Sequence, residues 1–429
     1  MSAKSSSSAQ LEAAKWDWDV PGNAFCPPDI ACDQKYTDFR KRVRDVMEAK
    51  VIPFVGDWEE AGTFPESIRG ELYNAGLYGV GWPVEYGGQT FGIEGEELNS
   101  WHQWILHDEM ARAGTGGLYA SLFTATIALP PVIQLGSKYI KDWVVRDVVA
   151  GKKNIALAVT EPSGGSDVAA MRTSAVLSAD GKHYVVNGVK TYISGGLKAH
   201  YLTVGVRTVQ PSEGKSRREV GHQGLTLLLI DGKSPGIRMT RLKTQGWWCS
   251  VTTTIAFEDV KVPVENVIGV PGQGFAAIMH NFNQERRALA YQAVRFARIC
   301  IEDATAYAKS RQTFDRKLIQ HQVIRHKVAE MTRQMLAAQC MNAALTSRVH
   351  RAGGDDSALG GEIALAKVNA TKMLEFCARE ASQILGGKSY LREGPGSRIE
   401  RIYREVRVMA IGGGSEEVML DLFTRQAKL

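Results

Sequence analysis

Glu285 and Arg286 stand side by side in a stretch where apolar residues recur at helical intervals: Ile278, Phe282, Leu289, Ala293, Phe296 and Cys300. At about 100° per residue these six form one stripe, roughly 60–80° wide, with Arg286 just beyond one edge and Glu285 just beyond the other. Arg287, Arg295 and Arg298 point elsewhere. A carboxylate at the margin of an apolar surface loses hydration, which raises its pKa and suits a general base working near neutrality. The same spacing also describes an ordinary ion pair at a helix edge with no chemistry. The pattern alone leaves both open.

Other arrangements carry less. Gly232-Lys233-Ser234-Pro235-Gly236 follows a strand-like run and has the letters of a hydrolase nucleophile elbow. The residue after such a serine must donate its backbone N–H to an oxyanion; Pro235 has none, so a plain turn is expected. His321 and His326 are five apart, which on a helix aims them in different directions and makes them poor partners for one metal. Gly79-Val80-Gly81 lacks a third glycine, and Gly272-Gln273-Gly274 leads into a helical pattern without dinucleotide-binding spacing, so nicotinamide is not supported as the main cofactor. The six cysteines show no paired spacing, which implies neither a disulfide framework nor a zinc site.

The elements that would position Glu285 can be read from changes of period. The chain has 429 residues, 44% apolar and 23% charged, enough for about three folding units and unlike a disordered or fibrous chain. Residues 1–34 are Ser-rich, then carry Cys26-Pro27-Pro28, and read as an extension. Residues 35–154 place apolar positions at helical intervals, as in Asp38 to Ile52 and Phe64 to Gly76. Residues 155–268 hold β-branched runs: Ile155 to Val159, Tyr184 to Val186, Tyr201 to Val204, Leu225 to Ile230 and Thr252 to Phe257. Asp180-Gly181 and Asn187-Gly188 are placed as hairpin turns, and Thr208 to His222 as a long exposed loop. Residues 269–429 return to the helical interval, with breaks near Gly353-Gly354 and Gly386-Gly387. The order is helices, strands, helices.

Charge and termini bound the setting. Fifty-two Lys and Arg against 46 Asp and Glu give +6, a diffuse surplus that does not argue for nucleic acid. The uncharged stretch Gly114 to Ser137 is long enough for a bilayer, but Pro130-Pro131 break it and Thr124, Thr126 and Gln134 dilute it; Leu118 to Leu129 reads as a buried core helix, and no membrane span is expected. Met1 to Trp16 contains no Arg, unlike a mitochondrial leader. Ala427-Lys428-Leu429 resembles a peroxisomal address, so a peroxisomal location is expected in a eukaryote and a cytoplasmic one otherwise.

Several blocks, in order, carry a family resemblance. Thr160-Glu161-Pro162-Ser163-Gly164-Gly165-Ser166-Asp167, then Asn187-Gly188 and Thr191-Tyr192-Ile193-Ser194, resemble the first motif of the acyl-CoA dehydrogenases. Phe257-Glu258-Asp259-Val260-Lys261-Val262-Pro263, Arg311-Gln312-Thr313-Phe314, Gln383-Ile384-Leu385-Gly386-Gly387 and the stretch from Arg404 to Glu417 match further landmarks, spanning about Tyr36 to Gln426. The resemblance implies an α+β fold: an N-terminal α-helical domain, a middle β-barrel or sandwich domain and a C-terminal four-helix bundle. It also implies FAD, a homotetramer built as a dimer of dimers with FAD shared across a subunit interface, and α,β-dehydrogenation of an acyl-CoA thioester. On family grounds Val159, Thr160 and Ser166 line the flavin edge and pyrophosphate, with Ser166 also near substrate. Tyr192 faces the flavin and Ser194 meets its N5. Arg311, Phe314, Gln383 and Gly387 reach the FAD of a neighbouring subunit, and Ser415 and Glu417 lie near its linker portion.

Departures from the pattern set the subtype. Most members carry the base in a Glu-Gly-Thr before the last helix, and here Gly413 occupies that position. The isovaleryl and long-chain branches place the glutamate on the helix after the β domain, and Asn283-Gln284-Glu285-Arg286 aligns Glu285 with it. Gly413 keeps its backbone N–H, which in this family points at the thioester carbonyl; Arg286 matches a residue near the thioester and the CoA entrance. Tyr192 replaces a commoner Trp, Ser389 a Gly and Glu405 an Asp. The resemblance leaves the acceptor open between an electron-transfer flavoprotein and oxygen. It also leaves room for a same-fold flavin oxidase or monooxygenase, or a non-catalytic FAD-bound relative.

Overall fold

The computed structural model describes residues 33–93, 98–209 and 220–429. The expected extension lies almost wholly outside them, as does 210–219 of the expected loop. Asp33 begins the described chain by capping the first helix, its carboxylate accepting from the Lys35 N–H at 3.0 Å.

Eight helices follow: α1 (Gln34–Lys50), α2 (Val55–Ala61), α3 (Ser67–Asn74), α4 (Ser100–Met110), α5 (Gly116–Leu122), α6 (Ala125–Ala128), α7 (Pro130–Leu135) and α8 (Lys138–Val149). The stretch expected as one core helix, Leu118 to Leu129, is buried in large part but broken. α5 ends at Phe123, whose carbonyl accepts from the Thr126 hydroxyl at 2.7 Å, and Pro130 opens α7. A hydroxyl competing for a helix carbonyl and a proline without N–H together cut the segment into three turns. Among the described residues no single helix is long and apolar enough to cross a membrane; the bent pair Gly116–Leu122 and Ala125–Leu135 passes on length and composition only.

The middle region is one eight-stranded sheet: β1 (Ile155–Ala158), β2 (Ser174–Leu177), β3 (His183–Ile193), β4 (Tyr201–Arg207), β5 (Leu225–Asp231), β6 (Ile237–Arg241), β7 (Thr253–Pro263) and β8 (Val267–Ile268), ordered β6-β7-β3-β2-β4-β5-β8 with β1 alongside β4. Asp180-Gly181 does turn between β2 and β3, with Gly181 at φ +70°. Asn187-Gly188 does not. It sits inside β3 at a bulge opposite β7, where a Cβ on Gly188 would come within 2.7 Å of the Thr173 Cα, and the Asn187 amide donates to Asp259 at 3.0 Å. Close backbone approach, not chain reversal, requires that glycine. All of β4 is buried, and its neighbour β5 alternates its leucines between two cores: Leu225, Leu227 and Leu229 face α8 and Ile278, while Leu228 and Ile230 pack with Leu202, Val204 and Phe257.

The remainder is helical: α9 (Gly274–Ser310), α10 (Gln322–Arg351), α11 (Gly360–Leu385), α12 (Ser397–Ile411) and α13 (Glu416–Gln426), with a small β9–β10 hairpin (Gln312–Thr313, Arg316–Lys317) after α9. Four long helices pack as a bundle around Phe296, Met331, Leu374, Cys377 and Ile402. The breaks at Gly353-Gly354 and Gly386-Gly387 fall where the period predicts them.

The three regions meet at a buried acid pair. Thr115 Oγ1 lies 2.8 Å from Glu59 on α2 and 3.1 Å from Glu405 on α12. Glu405 also accepts from the Gly116 N–H at 3.0 Å, and Glu59 from the Trp248 N–H at 3.1 Å. Burial, then the neighbouring Glu59, pushes Glu405 up to about 8, which favours a protonated Glu405 and a hydroxyl bridge between the two acids.

Candidate functional site

Glu285 lies one-third of the way along α9, and Asn281, one turn earlier, donates its amide to the Glu285 carboxylate at 2.9 Å while also donating to the Ile127 carbonyl at 3.0 Å. No lysine or arginine forms an ion pair with it among the described residues, although Arg286 is adjacent. Burial raises its pKa to about 8, against the opposing pull of Arg286 and Asn281. Tyr119 on α5 faces this carboxyl: burial and the Glu285 charge both push its hydroxyl upward. That hydroxyl meets His107 Nδ1 at 2.6 Å. Burial, then Arg287, drops His107 to about 3, so the ring is neutral and shares one hydrogen bond with the Tyr119 hydroxyl through Nδ1.

Arg286 turns away from Glu285. Its Nε donates to the Gly413 carbonyl at 3.0 Å and one terminal nitrogen to Asn283 Oδ1 at 3.3 Å. Gly413 has φ +69°, and a Cβ there would sit 2.9 Å from Leu289 Cδ1. A side chain at 413 would be strained in backbone and crowded by the residue one turn after Glu285. Lys367 on α11, fully buried, donates to the Ala410 and Gly414 carbonyls, the latter at 2.9 Å. The carbonyls of Gly413 and Gly414 are thus held, and the N–H groups of both residues have no acceptor among the described residues.

A second cluster is fastened by a buried ion pair. Lys190 in β3 donates to Glu161 at 2.8 Å and to the Val159 carbonyl at 2.9 Å, and Glu161 also accepts from the N–H groups of Arg172 and Thr173. Burial alone would raise Glu161; Lys190 and the hydrogen bonds overcome it and hold the carboxyl low. The loop from Thr160 to Ser166 therefore hangs from a fixed anchor, tied again by the Thr191 N–H to the Thr160 carbonyl at 2.9 Å. Tyr192 sits at φ +59°, a conformation a tyrosine rarely adopts, and the residue is 68% exposed. The hydroxyls of Thr160, Ser166 and Ser194 meet no partner within the chain among the described residues. An exposed flat ring beside unused hydroxyls and loop N–H groups fits a ring system joined to a pyrophosphate.

Arg311, Phe314, Gln383 and Gly387 form a separate group. All four are exposed, Phe314 by 86%. Arg311 follows α9 directly, 26 residues after Glu285, so at 1.5 Å per residue it stands roughly 39 Å away. The Arg287–Asp356 pair at 3.0 Å places the start of α11 beside Glu285 and thus Gln383 at the far end. Within one chain these residues and Glu285 cannot meet the same small molecule. Ser415 and Glu417 open α13, with Glu417 held low first by its own backbone N–H and the Ser415 hydroxyl. Among the described residues no group of three or more His, Cys, Asp or Glu could hold a metal.

The chain has the helix–sheet–helix order of the acyl-CoA dehydrogenases, and it belongs to the acyl-CoA dehydrogenase family. Its N-terminal, middle and C-terminal domain models match residues 33–152, 156–260 and 272–428. It is an FAD-dependent oxidoreductase. Among relatives, acyl-CoA dehydrogenase apdG of Emericella nidulans is 36% identical over 413 residues, covering 93% of this chain and 92% of the relative. Acyl-CoA dehydrogenase AFT10-1 of Alternaria alternata is 33% identical, covering 92% of each. Butyryl-CoA dehydrogenase from Megasphaera elsdenii superposes with a TM-score of 0.81 at 28% identity, over 92% of this chain and 99% of that one.

Sequence reasoning missed Asn281, Lys367, His107 and the Glu161–Lys190 anchor. Asn281 could have been found, since i−4 on a helix faces i. Lys367, alone among Ala364, Leu365, Ala366 and Val368, was a visible anomaly. The other contacts join distant segments.

Proposed function

We propose that the protein dehydrogenates an acyl-CoA thioester to the trans-2-enoyl-CoA, with Glu285 taking the α-proton. The observation that carries this is a carboxyl left without an ion pair on α9, held by one amide and shifted by burial into the range of a neutral-pH base. Bound FAD supplies the acceptor for the β-hydride. Gly413 donates its backbone N–H to the thioester oxygen, stabilising charge as the α-proton leaves. Arg286 holds the Gly413 carbonyl and lines the CoA entrance. Val159, Thr160, Ser166, Tyr192, Ser194, Ser415 and Glu417 cradle the cofactor, and Ser166 borders substrate.

The exposure of Arg311, Phe314, Gln383 and Gly387, roughly 39 Å from Glu285, supports their serving the FAD of another subunit in a homotetramer; light scattering of the yellow protein at about four chains checks it. An electron-transfer flavoprotein takes the electrons onward. Hydrogen peroxide made at turnover rates in air would transfer that role to oxygen.

The test is anaerobic titration with a panel of acyl-CoAs, following flavin absorbance. Glu285→Gln should stay yellow yet lose substrate-driven bleaching by about 10³-fold. Full reduction of that variant overturns the assignment.

A further inference from the structure

Lys367 is 0% exposed, and among the described residues no carboxylate forms an ion pair with it. Burial lowers its pKa to about 8, with Glu416 opposing. An ammonium placed there without a counter-ion costs stability unless its hydrogen bonds do something a methyl group could not. Its two acceptors are the Ala410 carbonyl, in the last turn of α12, and the Gly414 carbonyl, 2.9 Å away in the turn that follows. Between them lies Gly413, whose own carbonyl is taken by Arg286, and Gly412 closes on Val408 at 2.8 Å. Two cations on two different helices therefore fix three carbonyls within five residues. The plane that carries the Gly413 N–H has the Gly412 carbonyl at its other end, so the three held carbonyls fix the planes 410–411, 413–414 and 414–415 around it and limit how far it can swing. Gly413 and Gly414 both keep an N–H without an acceptor among the described residues, and that of Gly413 lies on the plane no cation holds directly.

We propose that Lys367 is a positioning residue for this reaction, aiming the Gly413 N–H at the thioester oxygen by holding the carbonyls on either side of it. The inference rests on the reading of the site given above. Gly413 has no Cβ and φ +69°, so its plane is freer to swing than that of any other residue type. The stiffness that a side chain would have contributed is supplied from α11 instead.

The measurement uses FAD-loaded Glu285→Gln as host, so that a bound acyl-CoA with a carbon-13 thioester carbonyl is not consumed. Its infrared carbonyl stretch should move to lower frequency on binding. In Lys367→Met in the same host, most of that displacement should be lost while FAD content and acyl-CoA affinity change by less than about threefold. In the Glu285-containing enzyme, Lys367→Met should slow flavin reduction by about 10²-fold, the scale of one lost oxyanion donor, and Lys367→Arg should recover part of it. Should the methionine variant not fold, Lys367→Gln, which keeps a donor without the charge, takes its place with an intermediate displacement expected. An undisplaced carbonyl in the host itself would sink the reading of the site as a whole. A normal displacement in the host that survives in Lys367→Met, with only thermal stability lowered, removes Lys367 alone and makes it a helix cap.

Discussion

Two stretches of α9 meet buried acids in opposite ways. Near its start, Glu285 has one amide for company and a pKa pushed up to about 8. About three turns on, Arg295 meets Asp108 at 2.7 Å, and Glu109 beside it accepts from Arg44 at 2.9 Å and pairs with Arg40 at 2.6 Å. Burial would raise Glu109 as well, yet Arg44, Arg40 and Arg295 outweigh it and hold the carboxyl below its ordinary value. Glu109 is fully buried and Glu285 half-buried, so it is partner number, not depth, that sets their opposite shifts. The lesson is that burial creates a proton acceptor only where cations are withheld, and the helix withholds them by turning Arg286 toward Gly413 and Arg287 toward Asp356.

The largest effect should come from breaking the paired stretch. Arg295→Met leaves two buried acids short of a partner and should cost roughly 3–5 kcal/mol, read as a large drop in the thermal midpoint of the holoenzyme. A midpoint unchanged within error would mean that Arg40 and Arg44 already suffice. Next comes the lonely stretch. Glu285 is about 4.5 when unfolded and about 8 when folded, so its stability contribution is full below the lower value and is lost as pH climbs through this window. Glu285→Gln should therefore be the more stable protein at pH 8, by roughly 1–3 kcal/mol after allowing for its partial exposure, and should show little gain at pH 4.5. Glu109 has the reverse sign, giving stability that fades as pH falls toward its depressed pKa. The smallest effect sharpens the contrast: kcat/KM should rise with pH toward about 8, and Asn281→Leu, which removes the one donor, should move that rise to still higher pH. A rise that stays in place would show that the Asn281 bond does not tune the base.

How much of this was legible in the sequence follows from range. Glu285 and Arg286 could be placed because helical spacing is local, and the helix–strand–helix order because period is local too. What those two side chains face was not legible: Gly413 is 127 positions from Arg286, and Tyr119 belongs to another layer. Asn187-Gly188 misled for a related reason. Its letters are those of a turn, but β7, far along the chain, and Thr173, beside the paired strand β2, set its conformation. The broken segment 118–129 was misread because apolar residues speak for burial, and only Thr126 and Pro130 speak for where a helix stops.

Glu59, Thr115 and Glu405 have a consequence for how this molecule can be taken apart. Three stretches that recur as named domains meet at this knot, the middle one through the Trp248 N–H, so a cut at either boundary would strand an acid in an apolar wall with nothing to bridge it. Fragments expressed singly should be sticky and short-lived, and the chain is best regarded as a unit that gains or loses its shape all at once.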